Sequence, residues 1–266
     1  MRALLAFAAL LLFATPASAD RFALTYDGLG LGFVPVGGVT VDADVSEDSY
    51  DISASLQSRG ILNLFERTNI EASSSGLISN GAVRWQRYNL DHHYSRKRRV
   101  IAMTADEHGA ITSEIEPVYR TWGEPAATEE QRRASRDPLS NVVAMAIDVG
   151  RTRRCEGTYP TFDGRFHYLL QLSGGDTDDF DGGGYEGDVL KCDLAYIAVS
   201  GFNQRDAGRR RVPEGQIWFA LMPDTTFAPP VRISTPLSAG GATIRLSGFR
   251  RARVDVEYSS DTSATP

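Results

Sequence analysis

The chain has 266 residues, of which 42% are hydrophobic and 23% are charged, and its formal net charge at pH 7 is −6. This composition is ordinary for a globular protein, and the length is sufficient for a self-supporting hydrophobic core. The excess of acidic over basic residues argues against a nucleic-acid-binding protein.

The first 19 residues have the features of a secretory signal peptide. Arg2 precedes an apolar run over residues 3–14, and Pro16 and the small residues Ala17 to Ala19 follow it. The run is shorter than the roughly 20 residues that a membrane-spanning helix needs. We therefore expect cleavage near Ala19-Asp20, and a periplasmic protein with no membrane span.

The chain contains two cysteines, Cys155 and Cys192. Disulfides are stable in an exported protein, so this pair predicts one bond, with two unbonded thiols as the alternative. The cysteines have no neighbouring residues at zinc-ligand spacing, which argues against a zinc site.

The first half alternates apolar and polar residues, as half-buried strands do. The stretches predicted as strands cover residues 21–27, 39–45, 50–56, 68–78, 82–94 and 97–104. The glycine-rich stretch 28–38 is predicted to be a turn, and residues 61–66 to form one or two helical turns.

A polar connection over residues 116–136 leads to the clearest helix, predicted at about 137–149. Asp137 suits the N-cap, Pro138 suits the first helical position, and Gly150 can close the helix. One stripe of the helix is apolar and comprises Leu139, Val142, Val143, Ala146 and Ile147. Because only strands are available to cover this stripe, we expect a sheet that curls around the helix.

The second half returns to the strand pattern. The predicted strands cover residues 153–159, 163–173, 186–200, 215–222, 229–235, 242–249 and 251–258. The predicted fold is mainly β: a single large antiparallel curved sheet or open barrel wrapped around one main α-helix. We expect one β-rich domain over 20–258 and a disordered tail over 259–266. Charges on both faces of strand 82–94 argue against an outer-membrane barrel.

The sequence contains no strong catalytic signature, and we predict no catalytic residue, no metal and no cofactor. The acidic segment 176–181 is interpreted as a flexible loop, because its register does not match a calcium-binding loop. The histidines are interpreted as ordinary strand residues. The enzymatic alternative is an enzyme that acts on cell-wall or glycan substrates and would use Asp91, His93 or His167.

Aromatic and basic residues suggest binding. The candidate ligand contacts are Phe65, Trp85, Tyr88, Tyr94 and Trp218. Strict alternation along 82–94 places Tyr88 and Tyr94 on one face and Trp85 on the other. Arginines cluster at 96–99, 132–136, 151–154, 209–211 and 250–253. They are interpreted as charged strand ends, with a basic rim for an anionic headgroup or glycan as the alternative.

Four segments together carry a family resemblance: FALTYDGLGLG with PVGGVTVDADV, then DPLSNVVAMAI, YEGDVLKCDLAYIAVSGF, and WFALMPDTTFAPPVRISTPLSAGGATIRLSGF. In this order they resemble the bacterial family called domain of unknown function 3108, over about residues 22–257. The resemblance implies an exported envelope protein without an established activity, and it supplies no catalytic residues. In outline the family is similar to periplasmic half-barrels that carry lipoproteins or lipids.

Three functional hypotheses follow. The first is a non-enzymatic periplasmic protein that binds a lipid-like or other apolar ligand in a groove. The second is a scaffold whose 116–136 connection and arginine clusters dock an envelope protein partner. The third is the enzyme described above.

Overall fold

The computed structural model describes residues 17–31, 33–60, 67–237 and 240–256. The strands are β1 (Ala17–Gly30), β2 (Val34–Val45), β3 (Ser49–Ser58), β4 (Thr68–Ser79), β5 (Ala82–Tyr94), β6 (Lys97–Ala105), β7 (Ile111–Glu116), β8 (Gly157–Phe162), β9 (His167–Gly182), β10 (Tyr185–Ser200), β11 (Gly215–Ala220), β12 (Pro230–Leu237) and β13 (Gly240–Val256). The helices are α1 (Glu129–Arg133), α2 (Pro138–Thr152) and α3 (Ala207–Arg210), and a 3₁₀ turn covers Gln204–Asp206.

All thirteen strands form one sheet, in the order β7-β6-β5-β4-β3-β2-β1-β13-β12-β11-β10-β9-β8. Every neighbouring pair is antiparallel. The sheet does not close on itself, because β7 and β8 remain its two edges. The predicted mainly-β fold, with a single large open antiparallel sheet, is confirmed.

The main helix is α2, which begins as predicted. Asp137 is its N-cap and accepts hydrogen bonds from the backbone N–H groups of Leu139 and Ser140, both at 3.0 Å. The helix continues past the predicted end to Thr152, where Arg153 caps it in the left-handed conformation. Gly150 lies inside the helix, and a Cβ there would fall 2.0 Å from the backbone oxygen of Thr226.

The helix is buried on most sides and lies against the inner face of the curved sheet. Its residues Val143, Ala146 and Val149 have no exposed surface. Side chains that pair across neighbouring strands share a face, and one such row meets the helix. This row, called the core row below, comprises Phe22, Ala43, Ile52, Ser74, Tyr88 and Met103. Every member is at most 3% exposed.

A β-bulge in β5 corrects the predicted alternation. Ser75 pairs with Arg87 and Gly76 pairs with Trp85, so Gln86 is an extra residue in β5. The bulge places both Trp85 and Tyr88 in the same core cluster, at 5% and 3% exposure. The prediction that they lie on opposite faces is wrong, because one inserted residue reverses the alternation beyond it.

Three further predictions are corrected. The glycine-rich stretch 28–38 is mostly strand, since β1 runs to Gly30 and β2 begins at Val34. The acidic segment 176–181 lies inside β9, where Asp178 accepts a 2.9 Å hydrogen bond from Lys191 of β10. The two strands predicted at 242–249 and 251–258 are the single strand β13.

Several predictions lie outside the described residues. They are the apolar run of the signal peptide, the helical turns at 61–66 together with Phe65, and the tail at 259–266. Within the described ranges, no helix combines the length and the apolar character needed to cross a membrane.

The segment before α2 connects the edge strand β8 to strand β5 on the other side of the opening. Arg136 donates its backbone N–H to Pro160 O of β8 at 3.0 Å and accepts from Phe162 N at 2.9 Å. The Arg136 side chain reaches the other side of the opening in the sheet, where Nε donates to Val83 O of β5 at 2.8 Å. Beside it, Trp85 Nε1 donates to Ser135 O at 3.0 Å. The polypeptide therefore bridges the opening that the strands leave.

Cys155 and Cys192 form the predicted disulfide, with their Cα atoms 5.3 Å apart. Cys155 follows α2 and Cys192 lies in β10, and both are buried. The bond therefore fixes the end of the central helix to the sheet.

Candidate functional site

A second row of inner-face side chains runs parallel to the core row and changes from apolar residues to His92 and the cationic Arg99. This rim row comprises Tyr26, Val39, Leu56, Ile70, His92 and Arg99, which pair in that order from β1 to β6. Tyr26 is buried, and the other five are half-buried. The inner face therefore keeps apolar surface that neither α2 nor the sheet covers.

At the apolar end, a cavity of about 320 Å³ is lined by Val39 and Leu56 of the rim row and by Ile244 of β13. Gly28 and Gly37 face each other in the ladder between β1 and β2 and also line it. Because glycine has no side chain, this part of the wall is open backbone.

At the cationic end, an open cavity of about 640 Å³ contains the side chains of His92 and Arg99. Two further arginines enter from loops: Arg165 from the β8–β9 connection and Arg205 from the 3₁₀ turn. Thr68 lines both this cavity and the apolar one, so the two adjoin. Both volumes are of the size that holds part of a small-molecule ligand.

Tyr119 holds two of these arginines by stacking. The guanidinium carbon of Arg99 lies 3.9 Å from the Tyr119 ring centroid, and that of Arg165 lies 5.1 Å from it. Burial raises the pKa of the Tyr119 phenol, while Asp163 raises it further and the two arginines oppose the rise. Arg165 also forms a 3.0 Å ion pair with Asp206, in which both side chains are largely buried.

Two guanidinium nitrogens in this cavity have no acceptor within the described part of the chain. They are Nη1 of Arg99 and Nε of Arg165, and both are buried. Buried donors are normally satisfied, because leaving one without an acceptor costs about 1–3 kcal/mol. Both arginines therefore keep hydrogen-bonding capacity that the described residues do not use.

The structure separates the predicted ligand contacts. Tyr94 lines the cationic cavity and packs against His92 with its ring tilted, the ring centroids being 4.7 Å apart. Trp85 and Tyr88 are core residues and do not face open space. Trp218 is half-buried on β11, where Lys191 and Arg232 lie over its ring at 5.2 and 4.8 Å.

The residues of the enzymatic hypothesis do not form one site. Asp91 and His93 lie on the outer face of β5, where Asp91 binds Arg98 at 2.6 Å and His93 at 3.1 Å. His167 is buried at the start of β9, and burial lowers its pKa. The described ranges contain no group of three or more His, Cys, Asp or Glu residues placed to hold a metal ion.

A buried polar cluster beside the site positions α2. Ser74 donates to Asp137 Oδ2 at 2.9 Å, and Ser140 Oγ lies 2.8 Å from Ser74 and 2.6 Å from the Tyr50 hydroxyl. Ser140 Oγ also donates to Asp137. Burial raises the pKa of Asp137 to about 6, although its hydrogen bonds oppose this rise. All four residues are at most 3% exposed, so the cluster anchors the helix and is closed to a substrate.

The predicted list of ligand contacts omits most of the cationic cavity. Arg99 belongs to the arginine cluster at 96–99, but Tyr119, Arg165 and Arg205 are isolated in the sequence. In the sequence analysis, the cationic cavity was indicated only by the alternative interpretation of the arginine clusters as a basic rim.

The family model described as "Protein of unknown function (DUF3108)" matches residues 21–247. The chain belongs to this family. The match covers most of β1, all of β2 to β12 and the first part of β13 of the DUF3108 chain, including both cavities. Comparison with curated proteins gives no match.

Among solved structures, the DUF3108 chain is similar to a β-barrel-like protein of the DUF1849 family from Brucella abortus. The two share 7% sequence identity with a TM-score of 0.48, and the alignment covers 90% of this chain and 99% of that one.

Proposed function

We propose that the protein binds a lipid-like ligand in the open interior of its sheet, without catalysing a reaction, in the periplasm. The observation that carries the proposal is the rim row, whose apolar members Val39, Leu56 and Ile70 remain half-buried on a concave face. Removing apolar surface from water stabilises a complex by about 25 cal/mol per Å², so an apolar chain gains by covering these side chains.

The compartment is part of the same proposal. The disulfide supports an oxidising location, and the first 19 residues have the composition of a signal peptide. Asp20 would then be the first residue, and its partners Val45 and Arg253 would still hold β1 in the sheet.

The test compares two glutamates introduced at adjacent positions of β3. Leu56 lines the apolar cavity, whereas Gln57 is exposed on the opposite face of the strand. The probe is N-phenyl-1-naphthylamine, a neutral apolar dye that fluoresces when it leaves water. We expect Leu56→Glu to weaken dye binding about tenfold or more, because a carboxylate in an apolar site must be desolvated.

Gln57→Glu is the matched control and should bind the dye like the unsubstituted protein. Circular dichroism melts check that both variants are folded. A further variant, Leu56→Trp, fills the same cavity without adding charge. Equal dye binding by all variants, or no binding by the unsubstituted protein, would contradict the proposal. Native mass spectrometry of protein gently extracted from envelopes should also show a bound lipid.

A further inference from the structure

We propose that the ligand is an anionic amphiphile whose phosphate or carboxylate headgroup lies in the cationic cavity while its apolar chain extends along the rim row. This inference rests on the proposed function and adds the chemical class of the ligand. It is carried by the placement of charge, since the rim row passes from Val39 and Leu56 to His92 and Arg99 within one continuous inner face.

Positive charge is concentrated at this end of the sheet. Beside the cationic cavity lies another of about 580 Å³, lined by Tyr94 and by the basic residues Lys97, Arg98, Arg99 and Arg120 among others. Basic side chains from three parts of the chain therefore converge in a protein whose net charge is −6. An acidic protein repels anions in general, so such a basic rim localises an anion at one place.

The guanidinium geometry favours an oxyanion over other polar groups. Arginine presents a planar fork of donors that matches the oxygens of phosphate or carboxylate. Arg99 Nη1 and Arg165 Nε are buried donors without an acceptor among the described residues, and contact with the Tyr119 ring restricts both guanidinium groups. An anion beside these two guanidinium groups would bind with little further loss of side-chain freedom.

Asp206 also lines the cationic cavity, and its carboxylate already accepts two hydrogen bonds. Its Oδ2 accepts from Arg165 Nη2 and from the backbone N–H of Asn203, both at 3.0 Å. The ion pair therefore orients Arg165 through Nη2 and does not use its Nε. Arg99 and Arg205 provide further positive charge on the same cavity.

The experiment uses three probes with one identical acyl chain: lysophosphatidate, lysophosphatidylcholine and monoacylglycerol. Each competes with N-phenyl-1-naphthylamine for the unsubstituted protein. We expect lysophosphatidate to bind about tenfold tighter than monoacylglycerol or better, and this difference to shrink as salt is raised. Lysophosphatidylcholine should fall between them, because its choline offsets the phosphate charge.

An arginine on the outer face provides the control for the same change of charge. Arg99→Gln should remove most of the preference for lysophosphatidate and leave monoacylglycerol binding unchanged. Arg21→Gln alters an exposed residue of β1 that binds Asp44 on the outer face, and it should change neither affinity. Arg205→Gln, at an exposed position, should lower the preference even if Arg99→Gln or Arg165→Gln fails to fold.

The outcomes separate the two proposals. Equal binding of all three probes overturns the anionic headgroup but supports a lipid-like ligand, whereas failure of all three to bind overturns both. The last competitor tested is inorganic phosphate alone. If it displaces lysophosphatidate at micromolar concentration, the site takes free phosphate and the amphiphile is overturned; displacement only at much higher concentration supports it.

Discussion

At the scale of single residues, Asp137 shows how one side chain serves two purposes. It caps α2 through two backbone N–H groups, and it accepts hydroxyl hydrogen bonds from Ser74 and Ser140. The capping role follows from the local sequence Asp-Pro. The burial that raises its pKa to about 6 depends on β3 and β4, which are distant in sequence.

This raised pKa predicts a pH-dependent stability. The folded protein holds the Asp137 proton up to about pH 6, whereas the unfolded chain releases it near pH 4. The stabilisation from this group is therefore complete below about pH 4 and is lost as pH rises through 6, by about 3 kcal/mol. This loss of stability is measured by urea unfolding of the native protein and of Asp137→Asn between pH 4 and 7.

Asp137→Asn cannot titrate, so its free energy of unfolding should lack this decline while other groups contribute equally to both proteins. Parallel curves for the two proteins would contradict the assigned pKa. Asn is also a good N-cap, so the variant is expected to retain α2.

At the scale of elements, β5 and α2 show where a periodic pattern succeeds and where it fails. The apolar spacing in α2 predicted a buried stripe, of which Leu139 and Val142 are only half-buried. The structure also encloses Ala144 and Met145, which lie outside the predicted stripe. The alternation in β5 failed after Trp85, because the bulge at Gln86 depends on the partner strand. A bulge of this kind leaves little trace in a single sequence.

The disulfide between the end of α2 and β10 carries a prediction at this scale. Replacing both Cys155 and Cys192 by Ser removes a cross-link with a sequence separation of 37. The chain-entropy relation gives a loss of up to about 4 kcal/mol in the free energy of unfolding. Denaturant unfolding of the oxidised protein and the double variant measures the loss.

Intact mass after alkylation without reductant is the control, since the oxidised protein should gain no adduct. Reduction of the native protein should lower its stability to that of the double variant. Equal stability of the oxidised protein and the variant would show that the bond does not constrain the unfolded chain.

At the scale of the whole molecule, the sheet stays open and the connection before α2 spans the opening. Arg136 contacts β8 through its backbone and β5 through its side chain. The two halves of the sheet, which meet at β1 and β13, are thereby joined a second time on the opposite side. This second junction keeps the interior concave and leaves the rim row accessible at the mouth.

Arg136→Met should loosen this junction while keeping the apolar part of the side chain. Loss of a charged hydrogen bond to Val83 O should cost about 1–3 kcal/mol and speed amide exchange at Phe162, whose N–H donates to Arg136 O. Hydrogen exchange monitored by mass spectrometry measures both effects.

Arg133→Met is the matched control, because Arg133 lies three residues earlier and its ion pair with Glu129 is about half exposed. Arg133→Met should change neither the free energy of unfolding nor the amide exchange in β8. Similar effects of the two substitutions would show that Arg136 does not join β8 to β5.

The strand-rich fold, the start of α2 and the disulfide pair could be predicted without a structure, because they depend on local periodicity, on Asp-Pro capping chemistry and on the presence of only two cysteines. The family was indicated by the resemblance of four sequence segments. The sequence by itself did not determine the candidate site. Arg99, Tyr119, Arg165 and Arg205 come together only because an antiparallel sheet of thirteen strands curls until β6 and the β8–β9 connection meet at one mouth. Pairing register and curvature arise from contacts between distant strands, and a single sequence carries no local pattern that encodes them.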